Sequence, residues 1–319
     1  MYVEQSVGMS PASLVSAVIA TYNLAQYIPE AIQSALNQTY RPIEVIVVDD
    51  GSTDNTRGVV ERYRGSVRYI RQPNAGVSSA RNHGARVAQG KYVAFLDADD
   101  CWEPTKIEAQ VALFERRPDL QLVHTDIITF DHSGQLKRFR KRAVQPEDGD
   151  CYWKLFEFCL PVLSSAMVRR EDFHLVGGFA EDLERTTDYD LWLRLAERGG
   201  LGLVPEPLAR FRIRAGSHSH ANPTEMMRET LKVLYRALSR RPGKDGEQDR
   251  IIQCRMASLH QETGWALYRD GKGREGRGHL LAAWRWRRTI PHPLLLWGAS
   301  WLPISALNAA RSFRRRLRG

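Results

Sequence analysis

Asp97-Ala98-Asp99-Asp100 puts three carboxylates into four consecutive residues, directly after the apolar run Tyr92 to Leu96. Carboxylates this close, carried on the end of a buried strand, project into one small volume and repel one another unless a cation neutralises them. Their hard oxygens suit Mg2+ or Mn2+, ions that keep coordination positions open for substrate phosphates. The chemistry this allows is Lewis-acid stabilisation of a phosphate or diphosphate as it departs. Taken alone, the run also fits a cap for the following helix or a solvated turn. The decision rests on what else the chain brings to the same place.

The elements that must position these acids are legible in outline. Leu14 to Ala20 is a short β-branched run, read as a buried strand. Tyr27, Ile28, Ala31, Ile32, Ala35 and Leu36 then recur at helical spacing. Ile43 to Val48 is a second strand, ending in Asp49-Asp50-Gly51-Ser52, and a helix is expected from about Asp54 to Tyr63. Val67 to Ile70 is a third strand, Ser78 to Ala88 a helix stopped near Gly90, and Tyr92 to Leu96 a fourth strand. Alternation of this kind predicts an α/β fold with a doubly wound, mostly parallel sheet and helices on both faces. Ligands of such sheets bind beyond the carboxyl ends of the strands. Two acidic clusters fall at those ends. Further along, a helix is expected from Glu103 to about Arg116, strands at Leu120 to His124 and Ser164 to Val168, and a helix from Asp188 to Glu197. Leu203 to Ile213 reads as extended, and the polar, basic stretch from Asp131 to Asp150 as a mobile loop over the site. After Gly216 to Pro223 the chain turns helical, with amphipathic stretches at Met226 to Leu238 and Ile251 to Tyr268. Gly264 to Ala283 carries one weak copy of a helical-hairpin pattern.

Four motifs occur in order: Val18-Ile19-Ala20-Thr21-Tyr22-Asn23, Val47-Val48-Asp49-Asp50-Gly51-Ser52-Thr53-Asp54, Asn74-Ala75-Gly76-Val77-Ser78-Ser79-Ala80-Arg81-Asn82 and Leu96-Asp97-Ala98-Asp99-Asp100. This set resembles the family 2 glycosyltransferases, which share the GT-A fold, and the likeness runs from about Leu14 to Ser219. The resemblance implies a nucleotide site at Thr21, Tyr22 and Asn23, where a backbone turn and an aromatic face suit a base. It gives Asp50 the N3–H of a pyrimidine and places Arg71 beside the base or the acidic cluster. Asn74, Gly76 and Arg81 line the next turn and helix start, where N–H groups and a guanidinium favour a diphosphate. Asp97 then faces the ribose alongside Ala98, Asp99 holds Mn2+ or Mg2+, and Asp100 assists through water. Trp102 is a further candidate for acceptor or phosphate contact.

A second constellation, Gly177-Gly178-Phe179-Ala180-Glu181-Asp182 followed by Thr186-Thr187-Asp188-Tyr189-Asp190, resembles the family's glycine-phenylalanine turn and the acidic pair that opens its next helix. The second acid of that pair is the general base of inverting members, which implies Asp188; Asp190 is the weaker candidate, and a purely capping Asp188 is the alternative. Thr187 stands where Glu is common, a departure that bears on acceptor binding and on the pKa of Asp188. An unperturbed Asp ionises near ~3.9, so the base is expected to rely on the acidity of the hydroxyl late in the reaction. Phe211-Arg212-Ile213-Arg214 resembles the segment that closes the family's site, with Arg214 where many members have His. Arg212 and Arg214 are therefore read as cations facing phosphate or acceptor.

The chain has 319 residues, 43% hydrophobic and 26% charged, with a net charge of +9. That suits one large globular domain with an appendage and argues against wholesale disorder. The expected division is a tail at 1–13, a GT-A catalytic domain at 14–219 and a basic helical region at 220–319. Cys101, Cys151, Cys159 and Cys254 form no CxxC pair and read as reduced structural thiols. With no basic start or apolar run at residues 1–13, a cytoplasmic location is expected. Thr289 to Ala310 lacks any charged side chain, yet Pro291, Pro293, Pro303 and Asn308 spoil it as a spanning helix. Trp284, Trp286, Trp297 and Trp301 beside arginine runs fit a helix lying on the anionic inner face of the cytoplasmic membrane, ahead of packing on the catalytic domain. Arg285-Trp286 lacks the Gln of the Q-x-x-R-W motif of processive synthases, which favours single-sugar transfer. The expected donor is a UDP-sugar, with dTDP and GDP as alternatives, and the acceptor a glycan or a lipid-linked precursor. Three other readings compete. A sugar nucleotidyltransferase would show a Gly-rich basic first loop, where this chain has Thr21-Tyr22-Asn23. A non-catalytic nucleotide-sugar binder would explain Thr187. A nucleic-acid binder lacks any recognisable module, so no nucleic-acid partner is expected.

Overall fold

The apolar runs become strands, and their ends converge. β1 (Val15–Thr21) is buried throughout, β2 (Ile43–Asp49) over its last five residues, and β4 (Tyr92–Asp97) at all but its final one. β3 (Arg68–Arg71), β2, β1 and β4 pair in parallel in that spatial order. The chain therefore winds one way from β1 to β3 and returns to the far side of β1, leaving the topological switch point between β1 and β4. Register settles the rest: Thr21 lies beside Asp49, and Ala20 beside Asp97. The crossovers are α1 (Ile28–Leu36), α2 (Thr56–Val60) continued by a 3-10 turn at Glu61–Tyr63, and α3 (Val77–Val87). α3 lies close to the sheet because it presents Gly84, where a Cβ would collide with Val18 Cγ1.

Beyond β4 the sheet is mixed. β8 (Ala166–Arg169) runs antiparallel to both β4 and β6 (Leu120–Phe130), β9 (Gly200–Arg212) parallel to β6, and β5 (Cys101–Trp102) antiparallel to β9. β6 extends past His124 because β9 pairs with it as far as Phe130. Within the stretch expected to be a loop, Leu136–Arg138 forms β7 against β6; the rest of 132–150 lies outside the described residues. α4 (Lys106–Arg116), α5 (Tyr152–Glu157), α6 (Arg170–Leu175) and α7 (Thr187–Ala196) complete this part.

The computed structural model describes residues 12–131, 136–138, 151–159, 161–214, 222–243, 245–287, 297–298 and 300–301. It divides into two units, Met1–Leu155 with Cys159–Ala215, and Phe156–Phe158 with Gly216–Gly319. The second unit contains α8 (Pro223–Arg240), α9 (Gly246–Arg269) and α10 (Gly273–Trp286). Asn222 and Asp245 cap α8 and α9 through the N–H groups of Glu225 and Gln248. α9 and α10 form one close helical hairpin: a Cβ on Gly264 would meet the Gly276 carbonyl oxygen at 2.8 Å, and the reverse contact would be 2.6 Å. Among the described residues no helix is long and apolar enough to cross a membrane. Of Thr289 to Ala310, Trp297, Gly298, Ser300 and Trp301 are described; the guanidinium of Arg277 lies 4.0 Å from the Trp301 ring centroid.

Candidate functional site

The ends of β1 and β2 are tied together by side chains of their own loops. Asn23 adopts φ +53° and accepts from Thr53 N–H at 2.8 Å, while its own N–H donates to Ser52 Oγ. Asp49 accepts from Ser52 N–H and from the Tyr69 hydroxyl at 2.6 Å, which pushes the phenol of Tyr69 up in pKa after the effect of burial. Asp50 accepts from Gln72 Nε2 and Ala75 N–H on one oxygen and from Gly76 N–H at 2.8 Å on the other. Its carboxylate thus builds the turn at Asn74 to Gly76, and one lone pair of Oδ2 remains for a ligand. Gly76, at φ +90°, caps α3. A Cβ on Gly51 would lie 2.8 Å from Asn74 N, so these loops need glycine to approach. Tyr22 is 46% exposed, and Arg71 reaches the Ser52 carbonyl and lies 3.9 Å from Asp49. Thr21 Oγ1 and Ser78 Oγ are buried without a hydrogen-bond partner.

The acidic turn is held from three sides. Asp97 Oδ1 pairs with Arg81 at 2.6 Å, and Asp99 Oδ2 with Arg214 Nε at 2.6 Å. Asp100 is 1% exposed; it accepts from Ser164 Oγ at 2.6 Å and from Arg212 N–H at 2.9 Å. Burial, then the charges of Asp97 and Asp99, raise its pKa well above the ordinary carboxylate range. Asp100 and Trp102 thus depart from the expected ligand contacts. Both are buried, and the Trp102 indole donates to the Ser164 carbonyl at 2.7 Å. Ser164 also accepts from Asp97 N–H, which makes it a hub that no spacing rule in the sequence singles out. Ala98 is buried and offers only backbone to a ligand. Arg212 is fixed by the Asp99 carbonyl and by Glu30 at 2.7 Å.

Arg81 joins this turn to α7. One nitrogen holds Asp97, and Nη1 donates to Thr187 Oγ1 at 3.3 Å, beside Asp188. Asp188 accepts from Tyr189 N–H at 2.8 Å. Burial raises its pKa to about 6, against the opposing pull of Arg81. This corrects the expectation of an ordinary, weakly basic Asp: the carboxylate is tuned toward neutral pH, where general bases work best. Asp190 is 2% exposed and accepts from both Nε and Nη2 of Arg194 on Oδ2, and Arg194 in turn donates to the Val176 and Gly178 carbonyls. Through Arg194 it braces the Gly177-Gly178 turn. Asn82 completes that framework by bonding both N–H and C=O of Phe179.

Whether these residues suit a divalent cation follows from the donors. Among the described residues no three His, Cys, Asp or Glu converge into a cage. Asp97 and Asp99 each engage one carboxylate oxygen with an arginine, and one or two hard oxygens plus substrate phosphates is the donor set Mg2+ and Mn2+ accept. The residues fit, and Arg214 holds Oδ2 of Asp99.

The sequence pattern of glycosyl transferase family 2 matches residues 16–174. An uncharacterized glycosyltransferase of Rickettsia conorii is 36% identical over 224 residues, 67% of this chain and 36% of that protein. A chondroitin synthase of Escherichia coli is 30% identical over 247 residues, 74% of this chain and 34% of that one. The chain thus spans about a third of the length of these relatives. Among solved structures, residues 1–349 of S. aureus TarS in complex with UDP-GlcNAc superpose with TM-score 0.64 at 19% identity, covering 85% of this chain and 80% of that one. A mannosyltransferase from Pyrobaculum calidifontis in complex with GDP-Man and Mn2+ gives 0.58 at 23% identity, covering 90% and 79%. The fold is therefore GT-A.

Proposed function

Because the chain belongs to glycosyl transferase family 2, we propose that it transfers one sugar from a nucleotide-sugar donor, a UDP-sugar, to a hydroxyl of a glycan or lipid-linked acceptor with inversion. The observation that carries this reading is Arg81, which spans Asp97 and Thr187 beside Asp188 and so joins the donor end of the sheet to the base. The S. aureus and Pyrobaculum neighbours carry UDP-GlcNAc and GDP-Man, which supports a nucleotide-sugar donor.

In this reading Thr21, Tyr22, Asn23, Asp50 and Arg71 bind the nucleoside, and Asn74, Gly76 and Arg81 face the diphosphate. Asp97 takes the ribose. Asp99 holds Mn2+ or Mg2+, which would supply Lewis-acid stabilisation to the diphosphate. Asp188 takes the proton of the acceptor hydroxyl while that oxygen bonds to the anomeric carbon and the bond to the diphosphate breaks. Activity should fall as pH drops below about 6, when Asp188 is protonated.

Transfer and hydrolysis with a panel of nucleotide sugars, with Mn2+ or EDTA, test the proposal on the wild type and Asp188→Asn. The expected result is metal-dependent release of one nucleotide by the wild type, and donor binding without turnover by the variant. If no nucleotide sugar binds even with metal, the roles given to Asp50, Asp97 and Asp99 are wrong.

A further inference from the structure

Arg212 and Arg214 leave the end of β9 together, yet they are held in different ways. Arg212 is locked into the framework: its N–H donates to Asp100, Nε to the Asp99 carbonyl and Nη2 to Glu30. Its guanidinium lies over the rings of Phe130 at 4.2 Å and Tyr27 at 5.1 Å. Arg214 lies over the same Tyr27 ring at 5.5 Å. Its polar partner among the described residues is the carboxylate of Asp99. That carboxylate is also the group on which a divalent cation would rest.

One carboxylate cannot serve both cations at full strength. A guanidinium at 2.6 Å from Oδ2 neutralises much of the charge that would attract Mn2+ or Mg2+, and the two positive centres would repel across a few ångströms. The pair is part-buried, so solvent screens this conflict only in part. A diphosphate relieves it. Guanidinium binds phosphate oxygens through two parallel N–H bonds, and a divalent cation takes the remaining oxygens. Resting on the reading of Asp99 as the metal ligand, we propose that Arg214 is a resident competitor for the cation. It occupies Asp99 until the donor diphosphate draws it off, so the ion is retained only together with nucleotide. Metal and nucleotide then bind with positive coupling, and by linkage each raises the affinity of the other by the same factor.

Binding of Mn2+ to the full chain, followed by the paramagnetic resonance signal of the free ion, tests this without turnover. Measurements are made alone and with UDP or GDP. Arg214→Gln should tighten Mn2+ on the nucleotide-free chain by on the order of tenfold, and should shrink the gain conferred by nucleotide. Arg210→Gln removes the same charge from β9 itself, where Arg210 pairs with Glu103 at 3.8 Å, and should change Mn2+ affinity by less than about twofold. The inference is overturned if Arg214→Gln behaves like the wild type or like Arg210→Gln, or if the nucleotide-conferred gain is equal in both chains. Asp99→Asn separates the two levels. If it abolishes Mn2+ binding while Arg214→Gln does nothing, only the competition is wrong. If Mn2+ binds unchanged without Asp99, or binds no variant with either nucleotide, the metal reading fails and the competition with it.

Discussion

Asp188 shows at the scale of one residue how burial shifts the ionisation of a carboxyl group. A carboxylate ionising near 3.8 in water is half protonated here at about 6, because the low-dielectric surroundings penalise the charge more than Arg81 relieves it. The cost falls on the fold. A carboxyl whose folded pKa is raised favours the folded state at low pH, and that advantage is lost as pH rises from about 4 through 6. At neutral pH the charged form costs at most ~3 kcal/mol, less to the extent that the side chain keeps solvent. Asp188→Asn should therefore abolish transfer while raising the melting temperature by a few degrees at pH 8, a gain that vanishes near pH 4. Differential scanning fluorimetry across that range checks it; a variant no more stable than wild type at pH 8 would mean that Asp188 is not strained. The position of this residue was readable from its motif, but its tuning was not, since burial is a property of the packed chain.

Among the elements, those legible from sequence were the ones that local pattern specifies. β1, β2 and β4 are continuous apolar runs, and α3 is bounded by Gly76 and small residues. β5 escaped notice because its two residues pair with β9 from more than a hundred positions away, and the same long reach places Ser164 and Arg212 on Asp100. The hairpin of α9 and α10 showed only as a faint pattern, yet it contains a part-buried polar contact with its own consequence. His260 Nδ1 lies 3.0 Å from His279 Nδ1, and His260 Nε2 bonds the Tyr235 hydroxyl of α8 at 2.8 Å. Burial, then His279, lowers His260 to about 4; burial also lowers His279, with Glu275 opposing and Arg228 adding to it. Both imidazoles are thus neutral in the fold. Depressed folded-state pKa values give stability that is full above about 6.5 and lost as pH falls toward 4, opposite in sign to Asp188. Hydrogen exchange resolved by peptide should show α9 and α10 losing protection between pH 7 and 4.5, and His279→Phe should flatten that dependence. Unchanged protection over this range would rule out the buried neutral pair.

For the whole molecule, charge is the organising asymmetry. Acidic side chains and their arginine partners gather at the strand ends, whereas no Asp or Glu follows Glu275 and arginines close the chain. A basic, tryptophan-bearing segment attracts an anionic surface, at about 1 kcal/mol per basic residue close to it, and tryptophan is at home in the interface. An acceptor carried on a lipid would then be met by an enzyme already held near it, which raises encounter without any change at the site. Vesicles containing phosphatidylglycerol should sediment the full chain at low salt, with binding weakening as salt rises toward 0.5 M. Replacing Arg314, Arg315 and Arg316 by Ala should release it from the vesicles while leaving donor hydrolysis unchanged, since none of the three belongs to the motifs that carry Asp97 and Asp188. If neutral and anionic vesicles bind alike, or neither binds, electrostatic attraction of this segment is not what brings the protein to its acceptor. A charge-independent route, such as recognition of the glycan itself, would then have to take its place.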